Sequence, residues 1–274
     1  MAFGLWRIKV AAKHAIARRR RSPIVRALLN LSNFFESAWH NQDQICSTNG
    51  EFALLARLGS MNFRTVVDVG ANVGEWAEAA LGVWPTCFVQ AFEIAPPTAA
   101  QFRKNFSGSP ELHRLSLHEM GLSDAEGTLA MYFYPENAKL TSDVRRHTDL
   151  LAEQFEARTV TLDAFCQRSG LERIDYLKID VEGAELKVLR GAAQLLRDGR
   201  LDCIQFEYGP FGIDSRTLLR DFYDLLGDTH VIGKIFPNYV EFREYDWTME
   251  DFRFGNYLCV PRNRPDLQRA ARGE

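Results

Sequence analysis

The chain has 274 residues, 46% hydrophobic and 25% charged, which is ordinary globular composition with length for one large domain plus extensions. Its net charge of −3 hides an asymmetry: Arg7, Lys9, Lys13, Arg18, Arg19, Arg20, Arg21 and Arg26 all precede the first acid, Glu36, so setting those eight aside leaves −11 on the remainder. An acidic body argues against a nucleic-acid enzyme, whose folded domain would carry a basic face. The cysteines, Cys46, Cys87, Cys166, Cys203 and Cys259, are odd in number, form no CxxC pair and sit mostly in apolar runs, the pattern of reduced thiols in a cytosolic protein. No stretch approaches the roughly 18 uninterrupted apolar residues of a membrane span. Met1–Val10 is broken by Arg7 and Lys9, against a signal peptide. The expectation is a soluble, cytoplasmic chain.

From Ile8 to Leu31 apolar and basic residues interleave at roughly helical spacing, which predicts a cationic helical arm over residues 1–49, interrupted at Pro23. Such an arm is either solvated or disordered, or it attaches to a partner or to an anionic membrane surface as a peripheral contact at the inner face. A second helical piece, Gly50–Leu58, leads into alternating elements. Thr65–Val69, Cys87–Ile94, Ile174–Val181 and Leu201–Glu207 are short apolar runs with helical stretches between them, the signature of a parallel sheet wrapped by helices. Ala184, Val188, Ala192, Leu195 and Leu196 recur on one helical face that should pack on the sheet. Thr128–Tyr134 predicts an extra strand, and Pro135–Arg158 is polar, with Asn137, Thr141, Ser142, Asp143 and His147. Residues 127–160 therefore read as a substrate lid over the carboxyl edge of the sheet. Asn256–Val260 is a last short strand, closing a domain expected over 50–262, and residues 263–274 are expected to form a charged, poorly ordered tail.

Ligands of open α/β sheets bind where strands end and helices begin. Asp68-Val-Gly-Ala-Asn-Val-Gly74 ends the first strand, and Gly70 and Gly74 allow a tight turn and close approach of backbone to ligand. A phosphate loop needs Gly-Lys-Ser/Thr, whereas Gly74 is followed by Glu75-Trp76; a dinucleotide fingerprint needs a middle glycine where Asn72 stands. S-adenosylmethionine carries no phosphate and is cationic at sulfonium and ammonium, so Asp68 favours it. Glu93, ending the second strand, can accept hydrogen bonds from both ribose hydroxyls, which suits adenosine without separating it from a nicotinamide dinucleotide. An NAD-dependent oxidoreductase would need a Tyr-x-x-x-Lys pair or its equivalent; Tyr132, Tyr134, Tyr208, Tyr223, Tyr239 and Tyr245 all lack it. A cofactor-binding partner subunit without catalysis is the third reading.

The segments Val-Val-Asp68-Val-Gly-Ala-Asn-Val-Gly74, Ala-Phe-Glu93, Gly-Leu-Ser-Asp124, Thr-Leu-Asp163-Ala-Phe and Leu-Lys-Ile-Asp180-Val-Glu-Gly-Ala-Glu185 resemble the successive motifs of the FkbM family of methyltransferases over residues 50–262. The resemblance implies a Rossmann-like class I methyltransferase fold, a mostly parallel seven-stranded sheet with helices on both faces, and O-methylation of a small-molecule, sugar or glycan hydroxyl. It implies a cofactor site of Asp68, Gly70, Ala71, Asn72, Gly74, Glu93, Ile94, Leu122, Ser123 and Asp180. The family often has Pro directly after the strand-two acid, whereas Ile94-Ala95 intervenes here.

Methyl transfer is an in-line displacement that must also remove the hydroxyl proton. Asp180 and Glu182 close the fourth run on the same side of an extended segment, and Glu207 closes the neighbouring one. These three are the candidate catalytic acids, acting as base and orienting partners, or Asp180 and Glu207 hold a magnesium ion that acidifies the acceptor. Glu185, and to a lesser degree Glu182, also fit helix capping. His147 is an alternative base. Tyr132, Phe133, Tyr134, Tyr208, Phe211 and Tyr239 fall in segments able to frame an acceptor or to fill the core.

Overall fold

A computed structural model describes residues 2–274. Its described residues up to Gln42 form one compact unit and Asp43–Glu274 the other. The first unit is two helices, α1 (Ala2–Arg18) and α2 (Pro23–Trp39). They break where expected. Pro23 cannot continue α1, because it lacks the amide and its ring would strike the preceding turn, but it suits the first turn of a new helix.

The second unit opens with α3 (Glu51–Arg57), and a first βα unit follows in β1 (Thr65–Val69) and α4 (Glu75–Val83). The chain continues outward through β2 (Phe88–Phe92), α5 (Pro96–Asn105) and β3 (Leu115–His118). A small insert holds β4 (Gly121–Leu122), β5 (Gly127–Phe133) and β6 (Glu153–Val160). After α6 (Leu162–Ser169) the chain returns to the other side of β1 with β7 (Ile174–Ile179), α7 (Glu185–Arg190), α8 (Ala193–Arg197) and β8 (Leu201–Tyr208). Short helices α9 (Phe211–Ser215) and α10 (Leu219–Leu226) precede β9 (His230–Ile235), β10 (Val240–Phe242), β11 (Gly255–Pro261) and α11 (Pro265–Arg272).

The main sheet has eight strands in the order β10-β9-β11-β8-β7-β1-β2-β3, one more than expected, the addition being the three-residue edge strand β10. Its β8-to-β3 half is parallel, while β11 runs antiparallel between β8 and β9. Strand alternation divides the core between the two faces. Val67 and Val69 join Leu177, Ile179, Ile204 and Phe206 on one face, and Val66 joins Tyr176, Trp76, Trp84 and Cys203 on the other.

Three expectations are corrected. Residues 153–160 of the polar insertion form a strand: β6 pairs antiparallel with β5 and parallel with β4 in a separate three-stranded sheet. The helix after β7 breaks at Gly191-Ala192, a position only glycine can fill, since the Ser123 carbonyl oxygen lies 2.1 Å from where a Cβ would begin. Asp163 then caps the restart, accepting the amides of Gln194 (2.8 Å) and Leu195 (3.0 Å). The C-terminal residues are helical rather than poorly ordered, since Leu267 and Ala271 of α11 are buried in the core.

Candidate active site

The chain moves outward from β1 to β3 and then resumes at β7 on the other side of β1, which makes the β1–β7 boundary the topological switch point. A cavity of about 490 Å³ opens there, against the carboxyl ends of β1, β2, β7 and β8. Gly70, Ala71 and Asn72 after β1, Glu93 and Ile94 after β2, Leu122 and Ser123 of the insert, Asp180 and Glu182 after β7, and Glu207 all line it. Its roof is the insert, through Leu129, Met131, Asn137 to Thr141, Asp143 and Thr159.

Gly70 is fixed by the crossing of the β1 loop over β7: its φ is +78° and a Cβ would sit 1.8 Å from the Asp180 carbonyl oxygen. The amides of Gly70 and Ala71 both donate to the Phe92 carbonyl at 2.9 Å. Glu93 ties the loops together, accepting from Asn72 N on one carboxylate oxygen (2.9 Å) and Ala95 N on the other (2.8 Å). Residues Ile94-Ala95 are thus accommodated in a turn closed by Glu93 itself, and α5 starts at Pro96. Burial pushes the Glu93 carboxyl up to about 7, against the pull of the two amides.

Two expected ligand contacts lie off the cavity wall. Asp68 shares the inner face of β1 with Val66 and is fully buried beneath the loop. Gly74 (φ +96°) precedes α4, where a Cβ would strike the rings of Phe106 and Phe102, so it serves helix packing. Directly opposite Asp68 in the parallel register stands Lys178, which does reach the cavity. Its Nζ lies 3.7 Å from Asp68 and 3.0 Å from Asp180, and 5.8 Å above the Trp76 ring. Burial would lower the Lys178 pKa, but Asp180, Asp68 and Glu51 together hold it well above the ordinary lysine value. Burial raises Asp68 to about 6 despite this partner, and both Asp68 oxygens lack a hydrogen-bond donor. Lys178 had a sequence signal, a cation inside an apolar strand two residues before Asp180 and so on its face. Glu51 had none: from α3 it lines the cavity and binds Asn49, Gln205 and Asn256.

Ligand oxygens of Asp180, Glu182 and Glu207 lie within 4.8 Å of one another. Burial and then Asp180 raise Glu182 to about 9, and burial with the same neighbours holds Glu207 well above the carboxylate range. One Glu207 oxygen has no hydrogen-bond partner. Glu182 takes a left-handed conformation (φ +57°) secured from the insert. Ser142 Oγ donates to its carbonyl at 3.2 Å, and the buried Arg146 guanidinium binds that carbonyl and lies 3.4 Å from the carboxylate. Arg146 also pairs with Asp214 and stacks over Phe211 at 4.7 Å. Glu185 is engaged as a cap, accepting the amides of Val181 and Gly183. His147 is exposed and away from the cavity, so the neighbouring arginine, not the histidine, meets the acids. Of the six aromatics singled out, only Phe211 lines the cavity; Tyr134 and Tyr208 are core, hydrogen-bonded to Arg146 N and Glu250.

A doubly wound sheet with a cavity at its switch point, walled by glycine backbone and acids, is the frame of a ligand-binding α/β protein. A sequence model described as the methyltransferase FkbM domain matches residues 68–243, and the chain belongs to that methyltransferase family. It is 30% identical over 192 residues to the 2-O-methyltransferase NoeI of Sinorhizobium fredii, spanning 64% of this chain and 76% of the relative. It is also 30% identical over 155 residues to the 31-O-demethyl-FK506 methyltransferase FkbM of Streptomyces tacrolimicus, spanning 46% of this chain and 58% of that protein. The crystal structure of methyltransferase FkbM from Methylobacillus flagellatus aligns with a TM-score of 0.46 at 16% identity, over 73% of this chain and 44% of that one.

Proposed function

We propose that this protein is a cytoplasmic enzyme that transfers the methyl group of S-adenosylmethionine to a hydroxyl of a sugar, glycan, glycolipid or secondary metabolite. The observation that carries the reading is the acid-lined cavity itself: glycine backbone and Glu93 on one side, Asp180, Glu182 and Glu207 on the other, beneath a polar roof. When bound, S-adenosylmethionine supplies an electrophilic methyl on a cationic sulfur, and a wall of acids suits it better than it would suit a diphosphate. The backbone at Gly70, Ala71 and Asn72 would hold its methionine portion, Glu93 the ribose diol, and Ile94, Leu122 and Ser123 the adenine. Asp68 acts at one remove, through Lys178.

Among the three acids burial raises Glu182 to about 9, which favours its protonated form at neutral pH, and burial shifts Glu207 in the same direction. They then donate hydrogen bonds that orient the acceptor, and Asp180, paired with Lys178, takes the hydroxyl proton as the oxygen attacks the methyl in line. The names of two relatives, both O-methyltransferases, support oxygen as the nucleophile. A second reading is favoured by the free Glu207 oxygen and the close spacing of the three acids, an all-oxygen donor set that suits magnesium. When bound, such an ion would polarise the acceptor hydroxyl. The first reading expects methyl-ether formation from glycosides to persist after dialysis against a chelator, with Asp180→Asn abolishing it; loss of activity on chelation and recovery with magnesium would select the second.

A further inference from the structure

We propose that α2 docks the protein onto the surface of an anionic phospholipid bilayer, with its apolar stripe in the interface and the basic residues of the first unit on the headgroups. Ile24, Leu28, Leu31, Phe35 and Trp39 follow at spacings of four, three, four and four, so they share one face of the 17-residue helix. All five are exposed, between 53% and 80% of their surface, and no residue of α2 is buried. Arg26, Asn30, Asn33 and Ser37 occupy the opposite face. An uncovered apolar stripe of this length with a polar back marks a docking surface, and no helix among the described residues is long and apolar enough to cross a membrane.

Charge selects the partner. The eight basic residues before Glu36 are all exposed, on α1, on the turn at residues 19–22 and on α2. A second copy of this chain would bring an equally cationic arm against them, so pairing stripe to stripe is opposed by repulsion. An anionic bilayer supplies what both features need, acyl chains just below its surface and negative charge upon it. Each Lys or Arg held near such a surface adds to the attraction, and salt screens it.

The test is sedimentation of the full-length protein with sucrose-loaded vesicles of phosphatidylcholine alone or mixed with phosphatidylglycerol. Binding to the anionic vesicles is expected to exceed binding to neutral ones at least about tenfold at low salt, and to fall as salt is added. The double variant Leu31→Asp/Phe35→Asp and the charge variant Arg18→Gln/Arg19→Gln/Arg20→Gln/Arg21→Gln should each lose most of it, and Asn33→Gln on the polar face should not. Circular dichroism and S-adenosylhomocysteine titration report whether each variant is folded. Three results overturn the proposal: equal binding to both vesicle types, binding unaffected by the stripe variant, or a dimer by light scattering that the stripe variant dissolves while the wild type ignores vesicles.

Discussion

Glu93→Gln keeps the shape of the side chain that joins the first two loops and removes its charge. Glu93 accepts one backbone amide on each oxygen, from Asn72 and Ala95, and glutamine can accept only one, turning the other into donor against donor. An unpaired buried amide costs about 1–3 kcal/mol. Against this, burial holds the carboxyl near 7 rather than 4.5, so ionised Glu93 costs the native state about 3 kcal/mol at high pH, at about 1.4 kcal/mol per pH unit. The folded value lies above the unfolded one, so Glu93 costs the native state nothing below 4.5, where the carboxyl is neutral in both states, and the wild type loses stability as pH rises through 7. Glu93→Gln should be less stable than wild type by about 1–3 kcal/mol at pH 5, and between equal to it and about 2 kcal/mol more stable at pH 9, by urea unfolding. If the carboxylate also holds the ribose diol, calorimetry at pH 8 should record a loss of S-adenosylhomocysteine affinity of about ten- to a hundredfold, one or two charge-assisted bonds. Affinity unchanged within about threefold, with the stability pattern intact, would reduce Glu93 to a loop tie and refute the ribose assignment.

Other substitutions test the surrounding construction. Gly70→Ala sets a Cβ against the Asp180 carbonyl in a left-handed backbone and should cost more than about 3 kcal/mol in chemical denaturation; a cost below 1 would mean the crossing is looser than described. Lys178→Met strips the cation from Asp68 and Asp180 and should cost about 3–5 kcal/mol at pH 8. The loss should shrink toward pH 5, because Asp68, already raised to about 6, takes up a proton; a pH-independent loss contradicts the pairing. Asp163→Ala removes the cap from α8 and should cost about 1–2 kcal/mol in thermal unfolding, with S-adenosylhomocysteine binding kept.

Much of this arrangement was legible before the fold. Thr65–Val69 coincides with β1, and the acids ending β2, β7 and β8 line one cavity because parallel strands deliver their carboxyl ends to one edge. Misreadings came where tertiary contacts decide. The place of Asp68 beside the loop suggests a ligand contact, whereas the alternation of β1 turns it inward against Lys178, a pairing set by strand register. β6 is hidden because Gln154, Glu156 and Arg158 alternate outward on a small sheet and Glu153 is exposed at the start of the strand, so the run is polar in sequence. The grip of Arg146 on Glu182 joins residues 36 apart in sequence and left no local signal, whereas exposed His147 beside it looked more chemical.

The central claim is that the acid-lined cavity drives methyl transfer to oxygen. Its most direct test is mass spectrometry of the products formed from S-adenosylmethionine with a deuterated methyl group and a panel of glycosides and hydroxylated metabolites. A labelled methyl ether, formed in step with S-adenosylhomocysteine and lost in Asp180→Asn, is the expected result. Label on nitrogen, sulfur or carbon, or an undiminished rate in Asp180→Asn, would contradict it.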